Sequence, residues 1–307
     1  VTRPTAHPRH ANLPEIKVSG LNACRALFEA RRDDIRKVYV AEETIPFVSD
    51  LLRWCAQSRI AYKIVTKDDL LALTDTPHHD GICLLARLLP TPTFDALLTQ
   101  LTKSNDDTPL VVLEDVKNPH NLGAILRVCA HFGVQHVLAA GETPELSPAA
   151  MRTSEGGAEH VAVVHIGDGK NAIKRLKTLG FAVVATSSHT DTPLTDTRLP
   201  KKLVVLFGSE GAGLSRALLD LADLHVLIPG SGALESLNVA CASSVILWEV
   251  WRSRAASGEK RAPREQVREA SPARERAGPR ANDDVTRARR NPGAAKRGRG
   301  SSPRRRD

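Results

Sequence analysis

Apolar positions change their spacing repeatedly along the chain, and the changes mark out alternating elements. Leu21, Cys24, Leu27 and Phe28 recur three and four apart, as on one face of a helix. Ile35 to Val40 reads as a strand. Phe47, Leu51 and Trp54 return to helical spacing, Ala61 to Val65 is a strand, Lys67 to Leu73 a short helix, and Ile82 to Leu88 a strand. Elements of this length in this order predict a small α/β domain over residues 16–90, after a Pro- and His-containing flexible lead at 1–15.

The breakers Thr91-Pro92-Thr93 and Ser104 to Pro109 enclose Phe94, Leu97, Leu98 and Leu101, one amphipathic helix in a linker at 91–108. A second domain follows at 109–254. Its strands are near-continuous apolar runs at Leu110–Leu113, Val137–Ala139, Ala182–Ala185, Leu203–Phe207 and His225–Ile228. Such runs fit strands buried on both faces of a parallel sheet. Helical patterns intervene at 121–131, 169–178, 214–221 and 235–252. The last carries Leu237, Cys241, Val245, Trp248 and Trp251.

Charge changes this picture at the C-terminus. Residues 255–307 hold 16 Lys and Arg against 7 Asp and Glu, a net +9, so the rest of the chain, at −1, is nearly neutral. The same stretch has no aromatic residue and only Val267 and Val285 as larger aliphatics. It cannot bury enough to offset its ordering entropy, so a disordered basic tail with unspecific attraction for phosphate is expected. A solvated, solubilising appendage is the blander alternative.

Composition removes several classes. No run of 18 uncharged apolar residues exists, so nothing spans a bilayer as a helix. The first ten residues carry no apolar signal core. Cys24, Cys55, Cys83, Cys129 and Cys241 are scattered without metal-knuckle or CxxC spacing, which reads as buried reduced thiols of a cytoplasmic protein.

The candidate chemistry lies after three strands of the second domain. Leu110–Leu113 is followed by Glu114-Asp115-Val116-Lys117-Asn118-Pro119-His120-Asn121-Leu122-Gly123 and then Arg127. Leu203–Phe207 is followed by Gly208-Ser209-Glu210-Gly211-Ala212-Gly213-Leu214. His225–Ile228 is followed by Pro229-Gly230-Ser231-Gly232, then Glu235-Ser236-Leu237-Asn238-Val239. Strand C-terminal ends are where open α/β sheets bind ligands. Each segment alone is equally well a turn, with Gly supplying positive φ and Asn or Ser capping the next helix. None is a G-x-G-x-x-G opening the first βα unit or a P-loop, so NAD and ATP are poorly supported.

In this order and spacing the three segments resemble the SpoU/TrmH family of RNA ribose methyltransferases, of the knotted SPOUT class. The likeness covers about residues 109–252. The first domain, ending in His78-His79-Asp80-Gly81-Ile82, resembles the family's L30e-like substrate-binding domain. The resemblance implies a trefoil-knotted α/β domain with a parallel sheet, a homodimer formed through the last helix, and S-adenosyl-L-methionine as cofactor. It places Gly208, Ile228 and Leu237 against the cofactor, with Thr186 near its methionine or adenosine end. RNA (rRNA or tRNA) would be the substrate, with no membrane and no metal involved, because the sulfonium supplies the leaving group.

The resemblance also implies roles for single residues. Arg127 corresponds to the family's catalytic arginine. A guanidinium keeps its charge at neutral pH, so orienting a phosphate and polarising the 2′-hydroxyl is the safer role than base. Asn118 and Asn121 are positioners of the 2′-hydroxyl or helix caps. Glu210 could hold Arg127 or a ribose hydroxyl. Ser236 and Asn238 open the last helix and face the transfer cleft. Met151-Arg152-Thr153-Ser154-Glu155-Gly156-Gly157-Ala158 approximates a further family stretch, S-x-G-A, with altered spacing, which makes Arg152 and Ser154 candidate RNA contacts. His78-His79 could face RNA or serve the loop. A non-catalytic RNA-binding or assembly factor with the same fold, and a base methyltransferase of the same class, are the competing readings.

Overall fold

The structure, a computed structural model, describes residues 13–104 and 107–256. The expected disordered tail from residue 257 onward and most of the expected flexible lead lie outside the described residues; residues 255 and 256, expected to open that tail, belong to the last helix. The first domain runs β1 (Glu15–Ser19), α1 (Leu21–Arg31), β2 (Ile35–Val40), α2 (Ser49–Ser58), β3 (Ala61–Ile64), α3 (Lys67–Thr74) and β4 (Ile82–Arg87). Its mixed sheet has the order β1-β4-β2-β3, with β4 antiparallel to both β1 and β2, and β3 parallel to β2. Val18, Val38 and Leu84 project to one face, where Leu27 of α1 and Leu51 of α2 close the core. The first strand is absent from the periodicity reading because only Ile16 and Val18 of its five residues are large and apolar.

The second domain contains α4 (Phe94–Ser104), β5 (Leu110–Glu114), α5 (Pro119–Phe132), β6 (His136–Ala140), α6 (Pro148–Thr153), β7 (Ala162–Gly167), α7 (Gly169–Thr178), β8 (Ala182–Thr186), β9 (Leu203–Phe207), α8 (Arg216–Leu219), β10 (Leu224–Val226) and α9 (Val239–Ala256). The six strands form one parallel sheet in the order β10-β8-β9-β5-β6-β7. Both faces are covered, as the unbroken apolar runs require. Val111 and Leu113 of β5 face a core shared with α5 and α9, while Leu110 and Val112 face one shared with α4 and α7. Leu97, Leu98 and Leu101 of α4 are buried in that second core, so the expected linker helix is a packed layer of this sheet.

Two elements differ from expectation. β7 escapes the pattern because His165 is exposed and interrupts its apolar run. Helix α9 begins at Val239, four residues later than its periodicity predicts. Asn238 accepts hydrogen bonds from the Ala240 and Cys241 amides at 2.9 and 3.4 Å, and this cap fixes the start. The stripe Cys241, Val245 and Trp248 is exposed, and the buried side of α9 is Val239, Ala240, Ile246, Leu247 and Val250. Apolar residues on both sides of this helix make periodicity alone a poor guide to its buried face.

From β5 the chain adds β6 and β7 outward on one side, then returns to build β8, β9 and β10 on the other. The strand order therefore reverses between β5 and β9. In an open parallel sheet the loops leaving the C-terminal ends on either side of such a reversal bound a ligand crevice.

Candidate active site

The three motif loops leave β5, its neighbour β9, and β10 beyond the intervening β8, and side chains tie them together. Asn121, in the first turn of α5, donates through Nδ2 to Glu210 Oε1 at 2.9 Å. Asn238 donates through its Nδ2 to the same oxygen at 2.6 Å and lies 3.2 Å from Asn121 Oδ1. The loops after β5, β9 and β10 thus meet at one carboxylate oxygen. Glu210 takes the two asparagine amides, and no bond to Arg127 is present. A second carboxylate, Glu114 at the end of β5, accepts from the Ser215 amide and hydroxyl, each at 2.7 Å, and fixes the far end of the β9 loop.

Local sequence explains each placement. Asn118 caps α5 by accepting from the His120 amide at 2.9 Å, and Pro119 occupies the first helical position, where no amide is needed. Gly208 has no room for a side chain. A Cβ there would stand 2.1–2.3 Å from the backbone of Gly213 and Leu214. The loop folds back on itself at this point through paired Ser209–Gly213 backbone bonds of 3.2 and 3.0 Å.

Thr186 ends β8, and its hydroxyl donates to the Leu206 carbonyl at 2.9 Å. It pairs in register with Val226 of β10. Thr186, Gly208 and Ile228 therefore stand at the neighbouring C-terminal ends of β8, β9 and β10. Leu237 is 49% exposed and Leu234 is 82% exposed in the loop before Asn238, where a soluble surface would ordinarily carry polar groups. Ser236 is exposed in the same loop.

Arg127 lies on α5, two turns beyond His120 on the same side of the helix. It is exposed and forms no hydrogen bond or ion pair with a described residue. Its backbone is tightly backed. A Cβ on Gly157 would stand 2.8 Å from the Arg127 Cα, and one on Gly123 would stand 2.5 Å from the Ala150 carbonyl. Helix α5 is thus pressed onto α6 and the 3₁₀ turn Gly157–Glu159 through two glycines. Cys129, on its inner side, is fully buried, and desolvation pushes its thiol well above the ordinary range, so it serves packing.

Arg152 is half-buried beside Gly20 of the first domain, also without a described partner. Ser154 is corrected from its expected role. It is fully buried, donates to the Met151 carbonyl at 2.7 Å and accepts from the Ala158 amide at 3.1 Å, so it closes a turn and has no surface to offer RNA. His79 is likewise buried, with Nδ1 accepting from the Gly81 amide at 3.0 Å, which is the loop role. Cys241 is exposed, against the expectation of five buried thiols. The sequence reading gives His120 no role of its own at the site. Its ring shares a 3.0 Å hydrogen bond with Thr153 Oγ1, and its position inside the first motif, one residue before Asn121, was the available signal.

Comparison with known proteins gives this arrangement its lineage. Residues 108–248 match the SpoU rRNA Methylase family, and residues 17–92 match the RNA 2′-O ribose methyltransferase substrate binding family. The chain is 38% identical over 244 residues to the uncharacterised tRNA/rRNA methyltransferase YfiF of Escherichia coli, covering 80% of this chain and 70% of that protein. It is 30% identical over 213 residues to a TrmH family tRNA/rRNA methyltransferase of Staphylococcus aureus, covering 69% and 86%. The crystal structure of the SpoU methyltransferase AviRb from Streptomyces viridochromogenes, in complex with AdoMet, superposes with a TM-score of 0.65 at 23% identity over 79% of this chain and 91% of that one. With both of its halves matched, the chain belongs to the SpoU/TrmH family of RNA 2′-O-ribose methyltransferases, in the form that carries an N-terminal substrate-binding domain.

Proposed function

We propose that the chain transfers a methyl group from S-adenosylmethionine to a ribose 2′-hydroxyl of rRNA or tRNA. The observation that carries this reading is the convergence of Asn121 and Asn238, from two separate loops, on one carboxylate oxygen of Glu210 in a third, with Arg127 exposed and without a described partner on the helix that Asn121 opens. The loops suit an adenosine held by backbone and apolar contact. Gly208 leaves bare backbone at the end of β9, and Ile228, Leu234 and Leu237 offer apolar side chains that are half to largely exposed. Thr186 would complete the pocket at the end of β8.

When bound, the cofactor supplies an electrophilic methyl on a sulfonium leaving group. The chain's own residues supply the geometry. Arg127 keeps its charge at neutral pH and presents a fork that matches a phosphate, so it holds the RNA backbone and draws charge from the 2′-oxygen next to it. Asn121 and Asn238 have their amides committed to Glu210, so they hold the loops in place, and Asn118 caps α5 in support. Ser236, exposed and without a described bond, is free to meet the substrate. Arg152 extends the positive surface toward the substrate-binding domain. Fixing the hydroxyl in line with the methyl removes much of the entropic barrier of the transfer.

The same reading makes the protein a homodimer. Cys241, Val245 and Trp248 form an exposed stripe along α9, with Trp248 stacked on Trp251 at 5.3 Å, and burial against a second copy would remove it from water. The trefoil knot implied by the family likeness and the cytoplasmic location read from the scattered cysteines are part of this proposal. Among the described residues no helix is long and apolar enough to cross a membrane.

The test incubates the protein with total RNA from cells lacking its gene and isotopically labelled S-adenosylmethionine. Label in ribose, located by nuclease digestion and mass spectrometry, is expected. Label in a base moves the protein to the base-modifying branch of the class. Absence of both label and calorimetric cofactor binding leaves a non-catalytic RNA-binding factor.

A further inference from the structure

The segment Met151–Glu159 touches both halves of the protein, and its contacts divide between the two sides and the turn itself. Toward the first domain, Met151 is buried in that domain's core. Glu155 accepts from Asn22 Nδ2 of α1 at 2.5 Å. Gly156 lies so close to α1 that a Cβ would stand 2.5 Å from the Ala26 Cβ, and its φ of 95° is in the left-handed region. Glu159 receives Arg31, the last residue of α1, through Nε at 2.6 Å and Nη2 at 3.1 Å. This pair is largely buried, with 14% and 6% of the two side chains exposed.

The contact extends into the sheet of the first domain. Arg31 also donates to the Arg87 carbonyl at 2.7 Å, and Arg87 in turn donates to Asp34 at 3.3 Å and to the Asp33 carbonyl at 3.1 Å. Toward the second domain, Gly157 sits directly under the Arg127 backbone, and Thr153 bonds His120. Ser154 ties the two sides with its internal bonds.

We propose that this segment is a rigid coupler that sets where RNA held by the substrate-binding domain meets Arg127, with Glu159 and Arg31 as positioning residues for methyl transfer. The inference rests on the transfer reading above. A bidentate, nearly dry ion pair is orientation-specific in a way that an apolar contact is not. One end of this pair is on the last turn of α1. The other is two residues from a glycine packed on the Arg127 backbone. A tilt of the first domain must either break the pair or drag α5 with it. Misplacement of reacting groups by about 1 Å is enough to cost on the order of a hundredfold in rate.

The test compares wild type with Glu159→Gln, Arg31→Lys, and the exchanged pair Arg31→Glu with Glu159→Arg, in the full chain. Four quantities are read: transfer to total RNA from cells lacking the gene, RNA affinity, cofactor affinity by calorimetry, and the urea unfolding midpoint. Each single variant is expected to lower kcat about tenfold or more, with RNA and cofactor affinities within about threefold of wild type. The exchanged pair restores the opposite charges at 31 and 159 but sets a carboxylate against the Arg87 carbonyl and Asp34, so only a partial recovery of kcat above that of Glu159→Gln is expected. A second probe, Gly156→Val, wedges the domains apart without touching any charge and is expected to lower kcat in the same way.

Unchanged kcat in folded single variants overturns the coupler. So does a loss of kcat that follows the unfolding midpoint alone. Absence of transfer by the wild-type protein overturns the transfer reading itself, and is thereby distinguished from failure of the coupler.

Discussion

Replacing Gly208 by Ala tests whether the β9 loop is the cofactor's floor. The added methyl carbon would meet the Gly213 carbonyl carbon at 2.1 Å, its oxygen at 2.2 Å and the Leu214 nitrogen at 2.3 Å. All three are backbone atoms and cannot swing aside as a flexible side chain would. Relief requires the two arms of the loop to part by roughly an ångström. This breaks the two Ser209–Gly213 backbone bonds of 3.2 and 3.0 Å. At a net ~0.5–1.5 kcal/mol each, the loss is about 1–3 kcal/mol in the closed loop. If cofactor binding must restore that closure, affinity falls about 5- to 150-fold. Gly169→Ala is the control, because its new carbon would rest at an ordinary 3.5 Å from the Ala140 Cβ and the Leu218 side chain. Calorimetric titration with S-adenosylmethionine, alongside urea unfolding of both variants, measures the difference. Wild-type affinity in Gly208→Ala would refute the assignment of this loop to the cofactor.

Further outcomes follow from the same coordinates. Arg127→Ala should abolish transfer while cofactor affinity is retained, since the guanidinium is exposed and has no described bond to lose; a kcat within threefold of wild type would remove it from the mechanism. Trp248→Glu should dissociate the proposed dimer in sedimentation experiments, and an unchanged sedimentation coefficient would count against an interface on α9. The carboxyl of Asp107 is held below its ordinary range by hydrogen bonds from Lys201 and from Arg254 of α9. A folded-state pKa below the unfolded one adds stability that is present above the unfolded pKa of about 4 and is lost as pH falls through the folded value. Asp107→Asn should therefore lower the urea midpoint at pH 7 and converge with wild type in acid; a pH-independent gap would contradict the linkage. Ending the chain at Ala256 removes the excess of basic residues and should flatten the salt dependence of RNA binding by about one slope unit per lost phosphate contact.

Much of this architecture is legible in the sequence because parallel strands buried on both faces are written as uninterrupted apolar runs. Five of the six strands of the large sheet coincide with or overlap the runs that begin at Leu110, Val137, Ala182, Leu203 and His225. β7 does not, since a single exposed His165 breaks its run, and β1 does not, since it is short and half-polar. The faces of α9 are not legible in the sequence, for the opposite reason. Periodicity reports an apolar stripe but not what covers it, and Trp248 is 49% exposed in the single chain. The motif loops are visible only as composition, because convergence of Asn121, Glu210 and Asn238 depends on strand order, which no local pattern encodes.

Ser154 shows the limit most clearly. A Ser beside two glycines in a motif-like stretch looks like a contact residue, yet its hydroxyl is spent on Met151 and Ala158. The glycines are there for close approach: Gly156 to α1 on one side and Gly157 to α5 on the other. A stretch that must lie within van der Waals distance of two helices at once has little freedom to vary, whether or not it ever touches RNA. Gly157→Ala separates the two explanations. Its methyl would press on the Arg127 Cα at 2.8 Å and on the Leu126 carbonyl at 2.8 Å while leaving every polar group of the segment in place. Loss of transfer in a folded Gly157→Ala protein would mean that the segment acts by placing Arg127; full transfer would mean that α5 yields, and that the close packing of this turn is a matter of stability alone.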